Sequence, residues 1–492
     1  MPAYDLIIRN GRIVDGTGAP ARDGAVALRG DRIAAVGDVA CRATVEIDAG
    51  GHVVAPGFID VHAHDDAAVV REPAMDFKLM QGVTTDVVGN CGAGVAPADD
   101  VFRRYYPAGF GPILGDSDLA WSTTDEYFAA VDAASPACNV AAYVPHGVLR
   151  SIVLRNEQRA PTAGELARMA GLLEEGMAAG AIGMSTGLIY PPGRWAQTDE
   201  IIALANVVAK HGGIYTSHIR DEGPRLLEAV QEAITIGERS GCPVQISHHK
   251  AGGPAWFGMT EQSLAMIEAA RDRGVDVTVD VYPYVASSSS LAAMHRAGGA
   301  GLWDRVPSII ASVTFNKEKY EGKYVSEIAE ELGVTPTEAA ERVLRDEQNT
   351  PSVIMFIMDE ADVRRVVSWP HAMIGSDGLP TGGKPHPRLY GTMPRVIQKY
   401  VRETNAITLE DAVRKMTSLP ATKHRIAERG ELRPGCFADV VVFDPDTIAD
   451  VATYADPRQY PTGIDYVVVN GAVVVERGAQ TSARPGRMLR RR

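Results

Sequence analysis

Eight apolar runs of strand length, separated by stretches of helical pattern, set the strongest limit on what this chain can fold into. They fall at residues 57–64, 84–91, 139–145, 181–188, 213–220, 243–250, 275–284 and 372–377. Helical patterns between them span 162–179, 200–211 and 222–240. In the last, Leu226, Leu227, Val230, Ala233, Ile234 and Gly237 recur at spacings of three and four, which is one helix face. Strand and helix alternating eight times predicts an α/β fold, a (β/α)8 TIM barrel. An open doubly wound sheet is the runner-up. It is weakened because the first strand–helix turn has no glycine-rich phosphate fingerprint.

The chain ends read differently. Residues 1–54 hold short strands, with Asn10-Gly11 as a hairpin signal between two of them. Residues 439–443 and 466–470 are apolar again, and Asn470-Gly471 is a second hairpin signal. The expectation is a small β-sandwich domain built from both termini, residues 1–54 plus 430–492, flanking a barrel domain of residues 55–429. Some eighty residues separate strands seven and eight, so 287–370 is expected as an inserted lid or surface subdomain. Within it, 287–290 and 298–301 read as flexible, and Thr335-Pro336-Thr337-Glu338 as a helix start.

Composition narrows the setting. The 492 residues are 45% hydrophobic and 23% charged, with a net charge of −13, which argues against nucleic acid or an anionic membrane as partner. Five irregularly spaced cysteines imply no disulfide framework. With no leader pattern and no apolar stretch long enough to span a bilayer, a cytoplasmic protein is expected. The basic run 484–492 reads as a solvated or disordered tail.

The polar residues cluster where a barrel would gather them. Strand one ends in His62 and His64, one residue apart and on one side of an extended chain. Strand two ends in Cys91, strand five in His218, strand six in His248, His249 and Lys250, strand seven in Tyr282 and Tyr284, and strand eight in Asp377. Catalytic residues of a (β/α)8 barrel converge at this end. Imidazole with thiolate suits zinc better than magnesium or calcium, which prefer oxygen. His248 and His249 face opposite sides, so only one reaches the pore. His146, His211, His295, His371 and His386 read as ordinary histidines.

The stretch 57–64 (GFIDVHAH), Asp377 and 430–439 (GELRPGCFAD) resemble the amidohydrolase superfamily. More narrowly, Asn90-Cys91-Gly92, Ser217-His218-Ile219-Arg220, Ser247-His248-His249-Lys250, Tyr282-Pro283-Tyr284 and Gly375-Ser376-Asp377-Gly378 resemble the D-aminoacylases, or N-acyl-D-amino-acid deacylases. That resemblance implies zinc-dependent hydrolysis of N-acyl-D-amino acids. It implies one tight zinc site at Cys91, His218 and His248, and a second, weaker position at His62, His64 and Asp377. It gives Asp377 the role of acid and base, and Tyr190, Lys250 and Tyr282 that of holding the substrate's α-carboxylate. The handedness of the substrate comes from the resemblance alone.

Two rivals remain open at the level of sequence. A cyclic-amide hydrolase resembling the hydantoinases or dihydroorotases would commonly carry a carboxylated lysine on strand four, and 181–190 (AIGMSTGLIY) has no lysine. A metal-free scaffold on the same barrel would have no need of these side chains. The region 287–296 is expected to line the side-chain pocket, with His295 or Arg296 able to select an acidic substrate.

Overall fold

The computed structural model describes residues 3–105, 120–297 and 301–491. Its centre is a parallel eight-stranded sheet in chain order: Phe58–Asp60, Val83–Val88, Asn139–Pro145, Gly183–Gly187, Ile214–His218, Val244–Ile246, Val277–Val281 and Ala372–Ile374. Each predicted run overlaps one of these strands, the second beginning one residue earlier than expected, at Val83. The sheet closes through a parallel bridge between Ala63 and Gly378. Around it Asp377 N donates to His62 O (2.7 Å) and His64 N to Gly378 O (3.2 Å).

Ile59, Val61, Val87, Ala141, Tyr143, Ile182, Ile214 and Met373 form one buried cluster. They come from strands one, two, three, four, five and eight, which only the barrel interior can bring together. The outer layer is helical. The helix Ala163–Ala179 begins at a capping box, Thr162 with Glu165, and ends at Gly180 in the left-handed conformation (φ 109°). The helix after strand five starts at Leu226 rather than at 222, because Arg220–Arg225 form the loop over the barrel mouth.

The termini build one nine-stranded mixed sheet. Val53–Pro56 and Val440–Phe443 pair at its middle and join the two ends of the chain. Its core packs Ile8, Val26, Ile33 and Ile47 against Leu432, Val440 and Val468. Asn470-Gly471 is the expected two-residue hairpin. Both residues have positive φ (47° and 81°), and Val469 faces Ala472. Asn10-Gly11 is not a hairpin. Only Asn10 has positive φ (53°), so the chain runs on as a single strand, Tyr4–Ile13, with a bulge between Ile8 and Gly11. The bulge changes the strand's partner, from Ala43–Asp48 before it to Val53–Val54 after it.

Part of the insertion expected to be flexible is regular structure. Ser287–Ser290 is a strand beside Ser352–Met355, which also pairs with Ser308–Ser312. Three of the four glycine-rich positions expected to be flexible, 298–300, lie outside the described residues. Thr335 caps the helix Pro336–Asp346 through a capping box with Glu338. The insertion has its own core, including Trp303, Ile310, Tyr320, Ile328, Val343 and Val353.

The tail also departs from expectation. Val140 N donates to Arg487 O (3.0 Å), Leu489 N to Val140 O (2.7 Å) and Arg491 N to Gly180 O (2.8 Å), strapping the tail across the start of strands three and four. Backbone pairing and the burial of Met488 overcome the charge of this segment. Truncation after Pro485 is expected to cost about 2–4 kcal/mol. It should lower the melting temperature in a thermal scan while leaving the metal content of the folded fraction unchanged.

Candidate active site

The floor of the site is made by three turns, each at the end of a barrel strand and each holding a non-glycine residue at positive φ: Cys91 (54°), His248 (35°) and Asp377 (49°). Such backbone costs about 1–3 kcal/mol per residue and persists only where the surroundings dictate it. Around Cys91 those surroundings are plain. Asn90 Nδ2 donates to Val87 O (2.8 Å) and Ala63 O (3.3 Å), tying the turn to strands one and two. Gly92 N donates to Ser185 Oγ (3.0 Å), and a Cβ at Gly92 would lie 2.6 Å from Gly187 N. The sequence Asn90-Cys91-Gly92 is therefore what this close approach permits.

All six residues expected as metal ligands are buried and meet here. Ligand atoms of Cys91, His218 and His248 lie within 4.8 Å of one another, as do those of His62, His64 and Cys91, and of His62, His248 and Asp377. Cys91 Sγ is 3.2 Å from His62 Nε2 and 3.5 Å from His248 Nε2. Asp377 Oδ1 is 3.2 Å from His64 Nε2 and 3.5 Å from His62 Nε2. His249 turns away, with its Nε2 2.7 Å from Ser263 Oγ.

The electrostatics suit a cation. Burial pushes the Cys91 thiol up, but the imidazoles of His62 and His248 outweigh it and hold the group well below its ordinary range, towards thiolate. Burial pushes His218 down, towards the neutral imidazole that can ligate. Both His218 ring nitrogens are buried without a hydrogen bond, and Glu222 Oε2 stands 3.8 Å from Nε2, beyond bonding distance. Orphaned imidazole nitrogens beside a thiolate fit a transition metal of the zinc type.

Four contributors were missed in the sequence. Asp280, on strand seven, accepts from His62 Nδ1 (3.1 Å) and His248 N (2.8 Å), which leaves His62 Nε2 facing the cluster. Glu222 Oε1, 3.0 Å from His248 Nδ1, does the same for that ring. It lies in the loop that the sequence reading gave to a helix. Arg388, fully buried, places Nη2 2.9 Å from Asp377 Oδ2. Lys78 lies beneath strands one and two. The alternation of Val277, Val279 and Val281 with Asp280 was a usable signal for an inward carboxylate; Arg388 and Lys78 had none.

Above this floor opens a cleft of about 420 Å³. Tyr190, Lys250 and Tyr282 stand on its walls. The Tyr190 hydroxyl is 3.2 Å from Ser289 Oγ, and its ring meets His218 edge-on at 4.7 Å. Lys250 Nζ is 2.5 Å from Glu222 Oε1 and 2.7 Å from His248 Nδ1. The insertion supplies Ser287–Ser290, Met294 and Arg296 to the wall. His295 points elsewhere, accepting from Trp303 Nε1 at 3.1 Å. His146, the first residue of the helix His146–Leu154, is held by Glu200 (2.8 Å), and no helix among the described residues is long and apolar enough to cross a membrane.

Residues 45–475 match the family model described as "Amidohydrolase family". The chain is 44% identical over 488 residues to the N-acyl-D-glutamate deacylase of Alcaligenes xylosoxydans xylosoxydans, covering 99% of this chain and 96% of that one. It is 42% identical over 494 residues to the D-aminoacylase of the same organism, covering 99% and 98%. Among solved structures, the N-acyl-D-glutamate deacylase from Bordetella bronchiseptica, complexed with zinc and a phosphonate inhibitor that mimics the tetrahedral intermediate, superposes with a TM-score of 0.92 at 43% identity over 99% of each chain. A donor cluster at the mouth of a closed barrel, carried on a chain that aligns end to end with these proteins, makes this chain a member of the amidohydrolase family, within its D-aminoacylase group.

Proposed function

We propose that the protein hydrolyses the amide bond of N-acyl-D-amino acids in a zinc-dependent reaction, releasing a carboxylate and a free D-amino acid. The carrying observation is the convergence of Cys91, His218, His248, His62, His64 and Asp377 on one floor beneath a cleft wide enough for such a substrate. Full-length likeness to the N-acyl-D-glutamate deacylase and the D-aminoacylase supports the substrate class.

In this reading Cys91, His218 and His248 hold the tight zinc, and His62, His64 and Asp377 offer a second, weaker position. Bound zinc supplies Lewis acidity to the amide carbonyl and to water. Asp377 takes the proton of the attacking water and returns it to the leaving nitrogen, which departs poorly without it. Burial pushes the Asp377 carboxyl up, but Arg388 and His62 hold it well below the usual range, so it stands ready as an acceptor. Lys250, with the hydroxyls of Tyr190 and Tyr282, receives the α-carboxylate. Arg296 on the insertion side favours an acidic substrate side chain.

The same reading assigns residues 1–54 plus 430–492 to one domain, 55–429 to the barrel domain and 287–370 to its insertion. The separate apolar clusters of the terminal sheet and the insertion support that division. Five unpaired cysteines support a reducing, cytoplasmic setting, and the net charge of −13 supports a small molecule rather than nucleic acid or an anionic membrane as partner.

A panel of N-acetyl-D- and N-acetyl-L-amino acids, followed by amine release, tests the function. D substrates should be preferred by about 100-fold or more. No release from any D substrate by zinc-loaded protein would refute the assignment. In the same panel R296A should lower kcat/KM for N-acetyl-D-glutamate by about 10-fold or more and leave N-acetyl-D-leucine unaffected. D377N should retain zinc at Cys91, His218 and His248 and lose about 10²–10⁴ in kcat.

A further inference from the structure

Lys78 is wholly buried, an unusual place for an ammonium. It belongs to the short helical turn Asp76–Leu79, between barrel strands one and two. Its Nζ lies 2.6 Å from Asp60 Oδ2, 2.8 Å from Asp65 Oδ2, 3.2 Å from Asp86 Oδ1 and 3.3 Å from Ser376 Oγ. Each partner belongs to a segment that carries a donor of the site. Asp60 is two residues before His62, Asp65 follows His64, Asp86 is on the strand that ends at Cys91, and Ser376 precedes Asp377.

The contacts run directly into the backbone of those segments. Asp60 Oδ1 accepts from His62 N (3.2 Å) and Ser376 N (2.8 Å) while its other oxygen takes Lys78. Ser376 Oγ accepts from Gly378 N (3.1 Å), at the bridge that closes the barrel. Asp60 and Asp86 stand opposite each other in the parallel register, on the face away from Ile59, Val61 and Val87 and hence outside the barrel's apolar interior. Burial works against the Lys78 ammonium, but Asp60, Asp65 and Asp86 more than compensate and hold it charged. Burial pushes the Asp86 carboxyl well up, against the pull of Lys78.

We propose that Lys78 is a positioning residue for the metal floor: through Asp60, Asp65, Asp86 and Ser376 it sets the spacing between the turns that bear His62 and His64, Cys91 and Asp377. It touches neither substrate nor any donor atom of the site. Its kinetic consequence rests on the deacylase reading; its effect on zinc does not.

The test compares wild type with K78M, the charge-balanced pair K78M/D60N, and K78R, each checked for fold by circular dichroism and thermal melting. Zinc affinity is read by competition with a chromophoric chelator, and kcat and KM on an N-acetyl-D-amino acid. For folded K78M the expected result is a zinc Kd raised about 10–100-fold and kcat lowered by a similar factor, with KM little changed and partial recovery in K78R. K78M/D60N should recover thermal stability without recovering zinc affinity. Wild-type zinc affinity in folded K78M, or losses that merely track the unfolded fraction, would overturn the proposal. Should neither Lys78 variant fold, D60N decides, since its side-chain oxygen can still accept from His62 N and Ser376 N while the oxygen that takes Lys78 is replaced: a weaker zinc Kd supports the proposal and an unchanged one overturns it. If wild type shows no deacylase activity, the substrate reading fails, and zinc affinity alone judges Lys78.

Discussion

The structure depends on how strand eight meets strand one. A parallel barrel must close on itself, and here the closure is made by residues that also form the site: Asp377 N bonds to His62 O, and His64 N to Gly378 O. Barrel closure and donor geometry are thus one constraint. The left-handed backbone at Asp377 is maintained because the chain must turn immediately after pairing with strand one. Asp60, which receives both His62 N and Ser376 N, reinforces the same seam from below.

Two tiers of charge surround that seam. The upper tier gathers His62, His64, Cys91, His218, His248 and Asp377 towards the cleft. The lower tier orients them: Asp280 and Glu222 fix the faces of His62 and His248, and Arg388 secures Asp377. Burying so many polar groups carries a heavy desolvation penalty unless they are paired or bind a cation. In the lower tier Asp280 and Glu222 are paired with their histidines, whereas both ring nitrogens of His218 in the upper tier are buried without a hydrogen bond.

Much of this was legible in the sequence, for a physical reason. Barrel strands are buried on both faces, so they read as apolar runs, and their chemistry is confined to one end, so aligning strand ends assembles His62, His64, Cys91, His218, His248 and Asp377. What escaped was set by contacts distant in sequence. Asn10-Gly11 and Asn470-Gly471 are the same dipeptide; the partners of the first strand make one a bulge and the other a turn. Nothing in the sequence sets Lys78 apart until the fold brings Asp60 and Asp86 within reach of its ammonium. Glu222 was absorbed into a helical pattern because the loop before Leu226 is helix-compatible in composition. The tail looked solvated because its arginines hid the pairing of its backbone with Val140.

The terminal part of the chain is more than an appendage to the barrel. Between its strands Val440–Phe443 and Ile464–Val469, a long connection returns to the barrel mouth. Asp450 Oδ2 accepts from the Tyr284 hydroxyl (2.8 Å) and lies 3.3 Å from Arg395 Nη1, while Arg458 Nη1 donates to the Tyr390 hydroxyl (3.1 Å). Tyr454 packs edge-on against His386, 5.2 Å away, which in turn bonds to Ala286 O (3.1 Å) at the root of the insertion. Arg388 follows His386 by two residues, and its backbone N donates to His386 Nδ1 (3.0 Å). The connection therefore braces the loop that delivers Arg388 to Asp377, linking the terminal sheet to the floor of the site through packed side chains and hydrogen bonds rather than through proximity alone.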